Sequence, residues 1–233
     1  MFRPLFFYFL FLLFSGHAFA QNALWGVELG MVSAKPNSVV VHPISSPNFR
    51  SEGFETRLGP SLNLNYTRKF KKALWVSAGI TAKSISYEDA IRITDPSFIS
   101  YPDGTVIARR IKHFIAGTSV LTGAQLPGIL RRFSPFVGVG TSLMLRSTSR
   151  TFRRSGIAPN FSLPHGDYNG AITELTGGAQ YSHPIGKRFF LTTSVRYVYA
   201  PAKVVDNSEI LPSPTYNLSH FAAYISLQKA IWQ

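Results

Sequence analysis

The chain has 233 residues, a formal charge of +13 from 24 Lys and Arg against 11 Asp and Glu, 45% hydrophobic and 14% aromatic residues, and no cysteine. That length suits one domain, and the lack of cysteine excludes a disulfide framework, a thiolate metal site, a cysteine nucleophile and a cysteine-linked lipid anchor. With only 15% charged residues the composition is the opposite of the disorder signature, so the apolar groups must be buried somewhere.

The chain opens with Arg3 and an unbroken apolar run over 4–14, followed by Ala18-Phe19-Ala20, small at both recognition positions. This is the layout of a secretory signal peptide over 1–20, cleaved before Gln21 to leave one domain over 21–233. The apolar run is too short for a spanning helix, which needs about 20 residues. Export argues against nucleic acid as the partner for the positive charge, and turns attention to phosphate-bearing surfaces outside the cytoplasm such as lipopolysaccharide.

From Trp25 onward the chain shows two-residue periodicity. The first segment sets Trp25, Val27, Leu29 and Met31 against Gly26, Glu28 and Gly30. The second, 54–67, sets Phe54, Thr56, Leu58, Pro60, Leu62, Leu64 and Tyr66 against Glu55, Arg57, Gly59, Ser61, Asn63, Asn65 and Thr67. The third sets Leu74, Val76, Ala78, Ile80 and Ala82 against Trp75, Ser77, Gly79, Thr81 and Lys83. The fourth, about 109–123, is less regular: facing Phe114, Ala116, Thr118 and Val120 outward keeps Gly117 on the glycine-rich side, and His113 leaves its faces open. The fifth sets Val137, Val139, Thr141, Leu143 and Leu145 against Gly138, Gly140, Ser142, Met144 and Arg146. The last three repeat the pattern around Leu175, Val195 and Ile225, with Glu174, Arg196 and Ser226 on the opposite faces.

Segments of this length exceed the usual globular strand of about five or six residues and match a tilted strand crossing a bilayer, which needs about 9 to 11. The connections 67–73, 124–133 and 182–188 are short and 35–52, 87–108, 149–168 and 201–216 are long, the alternation of an outer-membrane barrel with periplasmic turns and external loops. Lipid offers no hydrogen-bond partner to a sheet edge, so such strands must close on themselves. The expected fold is therefore all-β, an eight-stranded antiparallel up-and-down transmembrane barrel with aromatic girdles. A soluble barrel with its apolar face inward is the alternative. It would carry Lys, Glu and Asp on its polar face, where this chain has mostly Gly, Ser, Thr and Asn.

Trp25-Gly26-Val27-Glu28-Leu29-Gly30, Leu58-Gly59-Pro60-Ser61-Leu62 and Pro135-Phe136-Val137-Gly138-Val139-Gly140 resemble strands of the PorT-like outer-membrane barrels of Bacteroidota and, more loosely, the small OmpA and OmpX type barrels. The resemblance implies a fold and a membrane, with no activity.

An eight-stranded barrel is filled by its own side chains, so Glu28, Glu55, Arg57, Lys83, Arg146, Glu174 and Arg196 are expected to form a polar network plugging the lumen. On the external side Arg109, Arg110, Arg150, Arg153 and Arg154 form a basic patch whose guanidinium groups match lipopolysaccharide phosphates. The partners expected are outer-membrane lipid and the barrel-assembly machinery, with the external ligand unidentified and no cofactor or metal spacing in the sequence. A lipid A-modifying enzyme would need Ser, His and carboxylate at one rim, and His113 and His220 lie in or near strands without an assignable serine. A narrow channel is the remaining alternative.

Overall fold

The computed structural model describes residues 22–34, 39–40, 49–70, 73–93, 106–153, 161–164, 171–201, 203–205 and 215–231, with the backbone alone at 22, 39–40, 49–54, 89–93, 106–109, 149–153, 161–164, 203–205 and 215–217. The expected leader over 1–20 lies outside the described residues. Eight long strands carry the fold: β1 (Asn22–Ala34), β2 (Phe49–Phe70), β3 (Leu74–Ile93), β4 (Val106–Ala124), β5 (Phe133–Arg153), β6 (Ala171–Ile185), β7 (Phe189–Tyr199) and β8 (His220–Ala230). They pair antiparallel in the order β4-β3-β2-β1-β8-β7-β6-β5, and β4 also pairs with β5, so the sheet closes. A short strand, Phe161–Pro164, adds to the external end of β5. Val39–Val40, Lys203–Val205 and Thr215–Asn217 form a small separate sheet.

The two faces of the wall are inverted relative to a soluble protein. Leu29, Leu64, Ile80, Val137, Leu175, Val195 and Ile225 are between 48% and 65% exposed on the outside, while Glu28, Asn63, Asn65, Lys83, Glu174 and Arg196 are at most 8% exposed on the inside. A soluble barrel is excluded by this arrangement, since it would hold its apolar belt in water and its charges in the core. An apolar belt around a closed sheet is the surface of an integral outer-membrane barrel. Aromatic pairs mark both rims: Trp25–Tyr66 and Phe133–Tyr181 at the short-turn end, with ring centroids 5.2 and 5.0 Å apart, and Tyr197–Phe221 at the other, 4.9 Å apart.

β4 resolves the faces that its sequence left open. Phe114 points to lipid, 44% exposed, and His113 is fully buried in the lumen. Strands β2 to β5 are also longer than the periodicity indicated, at 22, 20, 19 and 21 residues, against 11 to 15 for the other four. The excess lies on the long-loop side. There Ser84, Ile85, Ser86, Tyr87 and Glu88 are all buried, so hydrophobic alternation stops while backbone pairing continues.

Turn chemistry at the other end is short and local. Between β4 and β5 a single 3-10 turn (Gly128–Leu130) follows Pro127, with Gly128 at φ 64°, a backbone conformation that glycine adopts without steric cost.

Because Ile80 faces the hydrocarbon mid-strand, Ile80→Arg is expected to destabilise the folded barrel by about 2–4 kcal/mol in urea titrations from lipid vesicles. A change within about 0.5 kcal/mol, the usual surface value, would place this face in water instead.

Candidate functional site

The lumen is filled in two layers. In the layer nearer the short turns, the Glu28 carboxylate of β1 accepts from Asn63 Nδ2 and Arg196 Nη2, both at 2.6 Å. Thr81 donates to Asn63 Oδ1 at 3.0 Å. Arg196 also lies over the Tyr224 ring, 4.3 Å from its centroid, and the Tyr224 hydroxyl meets Ser61 Oγ at 3.0 Å. Across the barrel Lys83 of β3 donates to Glu174 of β6 at 2.6 Å, with both side chains at most 10% exposed. Buried charges persist where each has its opposite in good geometry, and both of these pairs meet that condition.

The cavity that remains beside Glu28, Asn65, Gln180 and Arg196 is about 10 Å³, room for about one water. Above the polar layer an apolar cluster occupies the external half of the lumen, with His113 and His220 buried beside it. Ile85, Tyr87, Ile111, Ile115, Ile172 and Leu218 pack there with Ala34 and Ala200.

Of the seven charges expected in the lumen, Glu28, Lys83, Glu174 and Arg196 are inside. Glu55, Arg57 and Arg146 are not. In β2 the pairing with β3 slips by one residue between Arg57 and Ser61, and in β5 the pairing with β4 slips at Leu145. Each extra residue reverses the inward and outward sides beyond it, so Arg57 and Leu58 are both exposed, as are Leu145 and Arg146. Gly59 marks the first slip: a Cβ there would collide with the Ser84 carbonyl oxygen.

The outward turn of β2 builds a second charge cluster above the lipid-facing part of β3, which ends at Ala82. Glu88 accepts from Arg57 at 2.8 Å and from Arg110 at 3.0 Å, and Arg57 also lies 3.7 Å from Glu55. Register sets Glu55 opposite Glu88 and Glu88 opposite Arg110, and Arg110 faces Arg150 on β5. Burial raises the tendency of the Glu88 carboxyl to hold its proton, but the hydrogen bond from Arg110 and the charges of Arg57 and Arg110 outweigh it and hold its pKa below the usual carboxylate value.

Of the five residues of the expected external patch, Arg110 is therefore engaged with Glu88. Arg109, Arg150 and Arg153 are placed by backbone on β4 and β5, and Arg154 lies outside the described residues. Lys112, which the sequence also puts among the basic residues of the external side, is exposed on the same outer face two residues from Arg110, near Arg146. Register shows it, since Lys112 pairs with Thr148 and Phe114 with Arg146.

The structure also brings together a Ser–His pair that spacing did not reveal, Ser147 Oγ and His113 Nδ1 at 3.0 Å. His113 is fully buried, with its ring against Tyr87 in the apolar layer, and lipid at the outer rim has no approach to it. Among the described residues no group of three or more His, Asp or Glu is placed to hold a metal.

A closed sheet with lipid outside and paired charges inside defines a small integral outer-membrane barrel of the eight-stranded OmpA and OmpX type. No protein-family model and no curated protein matches the chain. Similar folds occur among solved structures: the outer-membrane protein OprG of Pseudomonas aeruginosa (TM-score 0.46, 11% identity, covering 92% of this chain and 99% of that one), AlkL in lipid bilayers (0.43, 14%, 92% and 92%), and outer-membrane protein W of E. coli (0.35, 13%, 91% and 98%).

Removing one member of a buried pair strands the other charge, so Lys83→Met is expected to destabilise the barrel by about 3–5 kcal/mol. Adding Glu174→Leu should restore most of that loss; a double variant no better than the single would show the pair is not coupled. For Glu88, the depressed folded pKa means that its contribution is present above the unfolded value of 4.5 and disappears as pH falls through the folded value. Glu88→Gln should therefore lower stability at pH 7 and leave it unchanged near the acid limit, and an equal loss at both ends of the titration would contradict the ion-pair account.

Proposed function

We propose that this protein is a plugged barrel with a structural or surface-binding role, holding phosphates of lipopolysaccharide through basic side chains on its external outer face. The observation that carries this is the bulge at Leu145, which turns Arg146 outward beside Lys112, with Arg150 paired to Arg110 further along the same two strands. Basic groups just above an apolar belt sit at the depth of outer-leaflet headgroups, and guanidinium forks match phosphate oxygens. The finer placement we propose is in the PorT-like group of Bacteroidota, resting on the strand motifs around Trp25, Leu58 and Pro135, with export by the 1–20 leader and insertion by the barrel-assembly machinery. The two-layer filling of the lumen favours a plug over a narrow channel, and the burial of His113 with Ser147 disfavours catalysis on lipid A by that pair.

Two measurements on the full chain test this reading. Lys112→Gln, Arg146→Gln and Arg150→Gln together should weaken binding of lipopolysaccharide in mixed micelles by about tenfold or more, and unchanged binding would remove the external site. In planar bilayers the wild-type protein should stay silent, whereas discrete conductance steps would favour the channel.

A further inference from the structure

The lipid-facing wall also carries a groove. Cross-strand register aligns Phe133, Tyr181, Thr193, Ile225 and Leu29 in one row across β5, β6, β7, β8 and β1. The next row has alanine at 179 and 223 beneath the flanking larger side chains. Small residues there leave a depression of about 540 Å³ with almost wholly apolar walls.

A second recess adjoins it across the Phe133–Tyr181 pair. Phe133 and Tyr181 also wall a hollow of about 580 Å³ at the β4–β5 turn, together with Gly128, Ile129, Arg131 and Arg132. Arg132 is held in place there: its Nη1 donates to Tyr181 Oη and lies against His183 Nδ1, both at 3.3 Å. Arg131 caps the same turn, exposed, and Ile129 is 98% exposed beside it. An apolar groove that runs into a pair of guanidinium groups has the shape and charge of an amphiphile with one phosphate.

We propose that this groove binds one glycerophospholipid of the inner leaflet, with an acyl chain in the hollow between Tyr181 and Leu29 and its phosphate against Arg131 and Arg132. The short turns face the periplasm in a barrel of this kind, so the recess meets phospholipid headgroups and not the lipopolysaccharide of the opposite leaflet. Arg131 and Arg132 offer parallel N–H donors to phosphate oxygens, and the Tyr181 hydroxyl, which accepts from Arg132, can donate to the same phosphate. A second copy docked on this face about a two-fold axis along the membrane normal would set two such arginine pairs at one level, like charge toward like, so charge complementarity selects the lipid.

The test is native mass spectrometry of the full chain released from nanodiscs of phosphatidylethanolamine and phosphatidylglycerol. One retained phospholipid per barrel is expected. The double change Arg131→Gln, Arg132→Gln should reduce the retained fraction by about tenfold, and Ala179→Phe, which fills the groove without touching the arginines, should reduce it as well. A heat-dependent gel shift establishes that each variant is folded, and the two act on separate parts of the site, so failure of one to fold leaves the other decisive. Retention equal to wild type in a folded variant, no retained phospholipid in the wild type, release of dimers from this face, or preferential retention of lipopolysaccharide when both are supplied would each overturn the proposal.

Discussion

Hydrocarbon has no hydrogen-bonding groups, and every other property of this molecule follows from that. Each N–H and C=O in the bilayer must find a partner within the chain, so β4 and β5 pair and no edge remains. Closure fixes two surfaces that cannot exchange roles. The outer surface must be apolar to meet lipid, and the inner one must be filled because eight strands leave little more room than their own side chains occupy. Gly26 and Gly30 on β1 and Gly79 on β3 face inward or abut the lumen where neighbouring side chains crowd against them, while Leu and Val occupy the alternate positions.

Filling a narrow lumen with charge succeeds here because each charge crosses the barrel to its opposite. Lys83–Glu174 joins β3 to β6, two strands that are not neighbours in the sheet, and Glu28–Arg196 joins β1 to β7 around β8. Buried pairs of this kind add little net stability compared with an apolar filling, yet losing one partner is costly. They therefore penalise any register that would separate them. The apolar layer of Ile85, Tyr87, Ile111 and Ile172 above lowers the dielectric around the polar layer, which strengthens the attraction within each pair and raises the penalty for leaving either charge alone.

Period-two alternation was enough to read the barrel, its faces over Trp25–Met31 and Pro60–Tyr66, and the four charges that meet in the lumen, because a side chain that alternates between lipid and lumen leaves a direct imprint on composition. Glu55, Arg57 and Arg146 were assigned to the lumen by extending that alternation past a slip of one residue. A bulge inserts a residue without changing composition, so the pattern on either side looks continuous although its phase has changed. Contact is a different kind of information again. His113 and Ser147, or Arg132 and Tyr181, meet through register between strands distant in sequence, and nothing local to either residue encodes it. The strand extensions over 84–93 and 106–108 were hidden for a related reason: above the lipid both faces are covered or solvated, and the alternation that hydrocarbon imposes is no longer required.

The distribution of charge follows from the same division of surfaces. Among the residues whose side chains are described, Glu28, Glu55, Glu88 and Glu174 are each within an ion pair with Arg or Lys. These four acidic groups are thus committed either to the lumen or to the outer-face cluster, and exposed basic side chains stand at both rims. Lys112 and Arg146 lie at one and Arg131, Arg132, Lys187 and Arg188 at the other, all exposed. A basic excess spread evenly over a soluble surface would mean only solubility. Here the apolar belt separates the exposed basic side chains into two groups, and local shape sets how each is presented: a bulge turns Arg146 outward at one end, and Arg132 donates to Tyr181 beside an apolar groove at the other.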